Sequence, residues 1–287
     1  RRFAHALGAS SRVLLVDLPG TGKADPLGAD IPLSFLADAL DSLLEVLDLG
    51  PIYLIAASYG TPTAYQFAQR FSHRVRRMAL CGTMVDIPEH ERLTIERSIR
   101  MAEVGDVEAL AQACEDGLLC RAPARRVRRH RLARRILTSG IRAMSKDDCA
   151  RYALNTRRLL RSSALDLTRP PDVPSLLFTG EHDVFTTPNR VADVARAIPG
   201  AGFTTVLEAD HLCHLERFDV VVRLLDQFRR GSLRVAHPVD WTPVRWSSQH
   251  AHFSASSSRE AAIRPCRRRV ERRPASKPPR TDTCSSP

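Results

Sequence analysis

Ala56-Ala57-Ser58-Tyr59-Gly60 is the stretch on which the reading of this chain turns. Upstream, residues 53–57 form a short apolar run that suits a buried strand, and downstream the pattern over 61–71 is helical, with Pro62 tolerated in the first turn. A serine on so tight a strand-to-helix turn projects its hydroxyl out of the sheet, and small neighbours let the backbone turn sharply. The helix behind it offers backbone N–H groups and positive dipole potential to a developing oxyanion. The pattern is G-x-S-x-G with Ala56 in place of the first glycine, a swap the turn should tolerate. Taken alone it also fits an ordinary serine at a helix N-terminus, so the partners of Ser58 must decide.

Working outward, Val13-Leu14-Leu15-Val16 is a continuous apolar run ended by Asp17-Leu18-Pro19-Gly20-Thr21-Gly22, and predicts a central strand of a parallel sheet. Leu36, Leu40, Leu43, Leu44 and Leu47 recur at helical spacing before Gly50-Pro51, and Met78-Ala79-Leu80-Cys81 predicts another strand. Alternating strands and helices predict right-handed βαβ units. Residues 85–170 lack strand-like runs and break at Gly105, Pro123 and Gly140, which predicts a helical insertion. The sheet pattern resumes with a strand at 175–178, a helix over 189–198, a strand at 203–207, and a last helix carrying Val221, Leu224, Leu225 and Phe228 up to Gly231. The expected fold class is α/β, a mostly parallel, doubly wound sheet. Its organisation is a first core part (1–84), a helical cap (85–170), a second core part (171–230) and a basic disordered tail (231–287).

The partners of Ser58 follow in order. Gly180-Glu181-His182-Asp183 and Asp210-His211 each follow a predicted strand, and parallel strands share one carboxyl edge, so Asp183 and His211 are expected on the face that carries Ser58. With Asp17-Leu18-Pro19-Gly20-Thr21-Gly22 and His214-Leu215-Glu216-Arg217, the chain resembles a helical-cap serine hydrolase of the α/β-hydrolase superfamily over residues 1–230. The resemblance implies Ser58 as nucleophile, His211 as the base that later returns its proton, Asp183 as its orienting acid, and the Tyr59 backbone N–H as first oxyanion donor. His182 and His214 compete for the base on chemistry alone, but His182 adjoins the acid and His214 lies further into the next segment.

The resemblance also implies two or three strands upstream, ending in a His-Gly-type loop that supplies a second oxyanion N–H. The chain begins inside what would be the next helix, so the expectation is a sequence truncated at its N-terminus, with an open sheet edge. Without one oxyanion donor the rate typically falls ~10²–10³-fold.

Composition limits the other classes. The chain has 287 residues, 43% of them hydrophobic, and its net charge is +11. That is enough apolar material for a core, while no run of 18 apolar residues predicts a membrane span. Residues 231–287 carry 11 basic and 4 acidic residues, so +7 of the charge sits in the last fifth of the chain. The abrupt change of composition there also fits out-of-frame translation of GC-rich DNA. Seven cysteines with no CxxC pair argue against a disulfide framework and for a reducing compartment, hence a cytoplasmic location. Gly20-Thr21-Gly22-Lys23 fails as a phosphate loop, because Asp17 and Ala24 stand where glycine and Ser/Thr are needed. His211-Leu212-Cys213-His214 crowds three ligands on one loop, poor geometry for zinc. No cofactor and no metal are expected. The eight arginines between Arg121 and Arg135 form either a solvated helix face or a dock for an acyl-carrier protein or coenzyme A; without interleaved aromatics, nucleic acid is disfavoured.

The expected reaction is cleavage of an ester-type bond in a small acyl substrate through an acyl-enzyme on Ser58, as in a carboxylesterase or lactonase. Apolar positions of the insertion (Leu110, Leu118, Leu119, Ile136, Leu137) suggest room for an apolar acyl group. The alternatives are a thioesterase or acyltransferase on carrier- or CoA-bound acyl groups, and a non-catalytic basic binding module on a degenerate hydrolase fold.

Overall fold

The computed structural model describes residues 2–121, 126–162 and 164–234. All of them belong to the first of two units, Arg1–Trp246, the second being Ser247–Pro287. The tail expected over 231–287 therefore lies, from residue 235 on, outside the described residues, as do residues 122–125 of the arginine run.

The elements run α1 (Arg2–Gly8), α2 (Leu33–Val46), β1 (Ile52–Ala57), α3 (Thr61–Arg70), β2 (Val75–Cys81), four helices α4 (Glu89–Val104), α5 (Val107–Leu118), α6 (His130–Arg142) and α7 (Lys146–Ser162), then β3 (Ser175–Gly180), α8 (Pro188–Ala197), β4 (Gly202–Val206), α9 (Cys213–Glu216) and α10 (Phe218–Arg229). Among the described residues the sheet has four parallel strands in the order β1-β2-β3-β4.

Strand periodicity explains the two layers around it, since successive side chains point to opposite faces. Leu54, Met78, Leu80, Leu177 and Phe203 pack on one face with Leu40 and Leu44 of α2, Phe67 of α3 and Val191 and Val194 of α8. Ala79, Cys81, Leu176, Phe178 and Val206 face the other way, under Val221, Leu224 and Leu225 of α10 and Phe3 and Leu7 of α1. Helices on both faces make β2 and β3 nearly continuous apolar runs, the signature read from the sequence. The four helices between β2 and β3 have a small core of their own, built on Ile99, Ala102, Leu110, Cys149 and Ala153.

Two expectations of buried strands fail. Val13-Leu14-Leu15-Val16 forms no strand, and Val13, Leu14 and Leu15 are exposed. The predicted buried strand after it exists as β1, but Tyr53 and Ile55 are 42% and 43% exposed. For β1 the cause is visible. β1 is an edge strand, and α1 and α10 cover β2 to β4 on that face without reaching it. An apolar run is buried only when neighbouring strands and both helical layers reach it; here they do not.

Backbone contact, not side chains, sets how closely the carboxyl ends of β3 and β4 approach. A Cβ on Gly180 would lie 2.2 Å from the Asp210 carbonyl oxygen and 2.6 Å from that of Ala209. Gly140, within α6, has open space around its Cβ direction. Gly180→Ala should therefore destabilise the fold by about 2 kcal/mol or more, while Gly140→Ala should stabilise it by ~0.5–1 kcal/mol through helix propensity. Thermal unfolding followed by circular dichroism should show opposite shifts, ~2–4 °C per kcal/mol for a chain of this size.

Candidate active site

The strand ends bring the three sequence-selected side chains together. Ala57 is extended, but Ser58 sits at φ +47°, a left-handed conformation costly for a residue with a Cβ, and the chain passes through one 3₁₀ turn into α3. That strained turn is the elbow the sequence predicts. The alanine at 56 fits it without clash, 3.7 Å from where a Cβ on Gly60 would stand. His211, on the loop after β4, places Nε2 2.9 Å from Ser58 Oγ, and its Nδ1 lies 2.9 Å from Asp183 Oδ2, on the loop after β3. His211 and Asp183 are 6% and 3% exposed.

A carboxylate so deeply buried needs its charge satisfied. Asp183 Oδ1 accepts the backbone N–H groups of Phe185 and Thr186, both at 2.9 Å, and Oδ2 accepts the hydroxyls of Thr179 (2.5 Å) and Thr186 (2.6 Å) besides the imidazole. Burial pushes the Asp183 carboxyl up, but the His211 charge and these hydrogen bonds outweigh it and hold the group below the ordinary carboxylate value. For His211, burial pushes down, while the charge and hydrogen bond of Asp183 and the charges of Asp210 and Glu216 leave it above the ordinary histidine value. The Phe185 ring meets the imidazole edge-on at 5.8 Å between centroids. A serine hydroxyl is thus hydrogen-bonded to an imidazole whose far nitrogen is anchored to a fixed anion, so the serine proton has an acceptor in place.

Ser58 opens into a small cavity of about 70 Å³ whose walls include Met84, Ile87, Leu159 and Phe185. The insertion contributes Ile87 and, from α7, Leu159, not the residues expected: Leu110 packs inside the insertion's own core, and Ile136 is 47% exposed. Tyr59 also lines this cavity. Behind it stands Arg158 of α7, fully buried, with Nη1 3.4 Å from the Tyr59 hydroxyl and its other donors on the carbonyls of Leu27, Gly28 and Ile31.

The competing readings separate cleanly. His182 lies 3.8 Å from Glu181, and His214 packs edge-on against Phe3. Gly20 to Lys23 is a turn closed on itself, with the Thr21 hydroxyl donating to the Leu18 carbonyl and the Lys23 N–H to Asp17. In the arginine run, Arg121 pairs with Asp116, Arg126 and Arg128 with Glu208, and Arg134 with Glu115, which spends much of its charge on this chain's own acids.

Sequence reasoning missed Thr179, Thr186, Gly82 and Arg158. For Thr186 a signal existed: an aspartate commonly accepts the N–H groups two and three residues on, and Asp183-Val184-Phe185-Thr186 fits. Gly82 sits at φ +67°, where a Cβ would come 2.8 Å from Thr186 Oγ1 and 3.4 Å from the His211 ring, a closeness no local pattern reveals. Arg158 is indistinguishable in sequence from its exposed neighbours.

The profile of the alpha/beta hydrolase fold matches residues 2–218, three quarters of the chain. The chain belongs to the α/β hydrolase family. Among solved structures it is similar to an enol-lactonase from Burkholderia xenovorans LB400 (25% identity, TM-score 0.66, covering 79% of this chain and 84% of that one). It is also similar to a thermophilic esterase from Thermogutta terrifontis (22% identity, TM-score 0.65, covering 80% and 84%), a likeness of fold. A curated relative, a 2-hydroxy-6-oxononadienedioate/2-hydroxy-6-oxononatrienedioate hydrolase of Pseudomonas putida, is 36% identical over 83 residues, 29% of each chain. The curated relatives are therefore matched over less than a third of their length. No helix among the described residues is long and apolar enough to cross a membrane.

For this α/β hydrolase, Thr186→Val keeps the side chain's shape and removes the hydroxyl that donates to the buried Asp183 carboxylate. It should cost about 1–3 kcal/mol, the usual range for a hydrogen bond to a buried charge. Urea denaturation should show a lower midpoint with an unchanged slope.

Proposed function

We propose that this chain is a serine hydrolase acting on small esters or lactones through a Ser58–His211–Asp183 triad. The observation that carries the reading is the unbroken line of hydrogen bonds from Asp183 through His211 to Ser58 Oγ, whose residue lines a largely apolar cavity. Ser58 attacks the carbonyl carbon, and its proton passes to His211 Nε2. The tetrahedral oxyanion is held by the Tyr59 N–H in the 3₁₀ turn that leads into α3, where the helix dipole favours negative charge. Collapse expels the alcohol, or opens the lactone ring, with the His211 proton passing to the leaving oxygen. Water activated by the same imidazole then releases the acid. Asp183 keeps Nδ1 as the protonated nitrogen throughout, so that Nε2 faces the serine.

The helical insertion is the cap of this enzyme, and Leu159 with Met84 and Ile87 selects the acyl group. The apolar walls favour an apolar acyl group. The likeness to an enol-lactonase supports an ester-type bond.

A fluorophosphonate should label Ser58, with no labelling of Ser58→Ala and a rate at least ~10³-fold lower in His211→Ala. Short p-nitrophenyl esters and small lactones should turn over faster than acyl-thioesters under the same conditions. Preference for thioesters would replace the esterase reading by a thioesterase or acyltransferase; absence of labelling would replace both by a binding module.

A further inference from the structure

A second group of ionisable side chains gathers around Asp210, the residue before His211. Asp210 and Glu216 are 0% and 2% exposed, His130 stands at the start of α6, and one ligand atom from each lies within 4.8 Å of the others. Neither carboxylate has an ion-pair partner among the described residues. Backbone groups aim them: Asp210 accepts the N–H groups of His211 (2.9 Å) and Cys120, and Glu216 Oε2 accepts the N–H of Asp210 (2.6 Å). Among the described residues this leaves two buried atoms without a hydrogen-bond partner, Glu216 Oε1 and His130 Nδ1. A buried carboxylate oxygen and a buried imidazole nitrogen facing nothing are both costly, and both are electron-pair donors.

The geometry points to a divalent-cation site formed by His130, Asp210 and Glu216, of the kind that takes Zn²⁺. An imidazole with two carboxylates is a mixed nitrogen and oxygen set, which suits zinc better than the oxygen-seeking Mg²⁺ or Ca²⁺. Zinc bonds of ~2.0–2.2 Å place ligand atoms roughly 3–4 Å apart, so a small rotation of the partly exposed His130 closes the site. Two negative charges meet a doubly positive ion, and water takes the fourth position. The His211-Leu212-Cys213-His214 run contributes no side chain: His211 is engaged with Asp183 and Ser58, and Cys213 Sγ lies 3.4 Å from Cys81 Sγ. The ion fastens α6 of the insertion to the loop carrying His211, a structural clamp that takes no part in the attack by Ser58.

The full chain, stripped with EDTA, is titrated with ZnCl₂ by calorimetry and its melting followed at each concentration. One ion should bind, with an affinity at least tenfold lower in both His130→Ala and Glu216→Gln, and the midpoint should rise with zinc in the parent but not in His130→Ala. Should Glu216→Gln fail to fold, His130→Ala decides alone, since its side chain is only partly buried. With Co²⁺ in place of zinc, the spectrum should show visible d–d bands without an intense sulfur charge-transfer band. No binding, binding unchanged in His130→Ala, or a sulfur band would each overturn the assignment. Cysteine or tail-histidine coordination would produce the last two results.

Discussion

The hydrogen bond between Ser58 Oγ and His211 Nε2 spans the full order of the sheet, from the end of β1 to the loop after β4. It exists only because four parallel strands deliver their carboxyl ends to one edge, and because those ends can be pressed together. Two positions without a Cβ make that possible. At Gly180 the backbone of the His211 loop crosses β3 at contact distance, and at Gly82 the end of β2 makes room for Thr186 and the imidazole. The strain at Ser58 belongs to the same constraint. A relaxed turn would direct the hydroxyl elsewhere, so the packing around β1 and α3 must hold φ at +47°.

The loops after β3 and β4 carry two buried acidic centres that solve the same problem differently. Asp183 is surrounded by donors, two backbone N–H groups, two hydroxyls and an imidazole, so its charge is held without a metal. Asp210 and Glu216 are equally buried but meet fewer donors, and burial is the main cause pushing both carboxyls up, Glu216 to about 7. The difference lies in local chain geometry. The turn after Asp183 folds its own N–H groups back onto the carboxylate, whereas Glu216, within the short helix α9, has one oxygen on the Asp210 N–H and lies near His130 of α6.

Among the described residues, polar contacts from α7 tie the insertion between β2 and β3 to the segment before α2. Arg158 donates to three carbonyls of the segment before α2, Asn155 to Gly20 and Arg151 to Ala24, so α7 organises a stretch that has no secondary structure of its own. A buried guanidinium can be satisfied by carbonyls in place of an acid because five donors in a planar fork can be shared among several acceptors. Its place beside the Tyr59 hydroxyl links that scaffold to the serine turn.

How far these features could be read in advance follows from the range of the forces behind them. Period-two and helical spacing reflect contacts within a few residues, and they located β1 to β4, α2, α3, α8 and α10 to within a few positions. The order Ser58, Asp183, His211 after three strand ends was equally legible, because parallel topology converts sequence order into a shared edge. Whether an apolar run is covered depends on neighbours far along the chain, so Val13-Leu14-Leu15-Val16 read as a central strand and lies exposed. Arg158, Gly82 and the meeting of His130 with Asp210 and Glu216 arise from contacts 80 to 130 residues apart, which leave no local pattern. The sequence by itself determined the fold class and named the three side chains that meet at the sheet edge. Only the tertiary structure decided which strand faces are covered, what satisfies each buried charge and how much space faces Ser58, since those are properties of packing between distant segments.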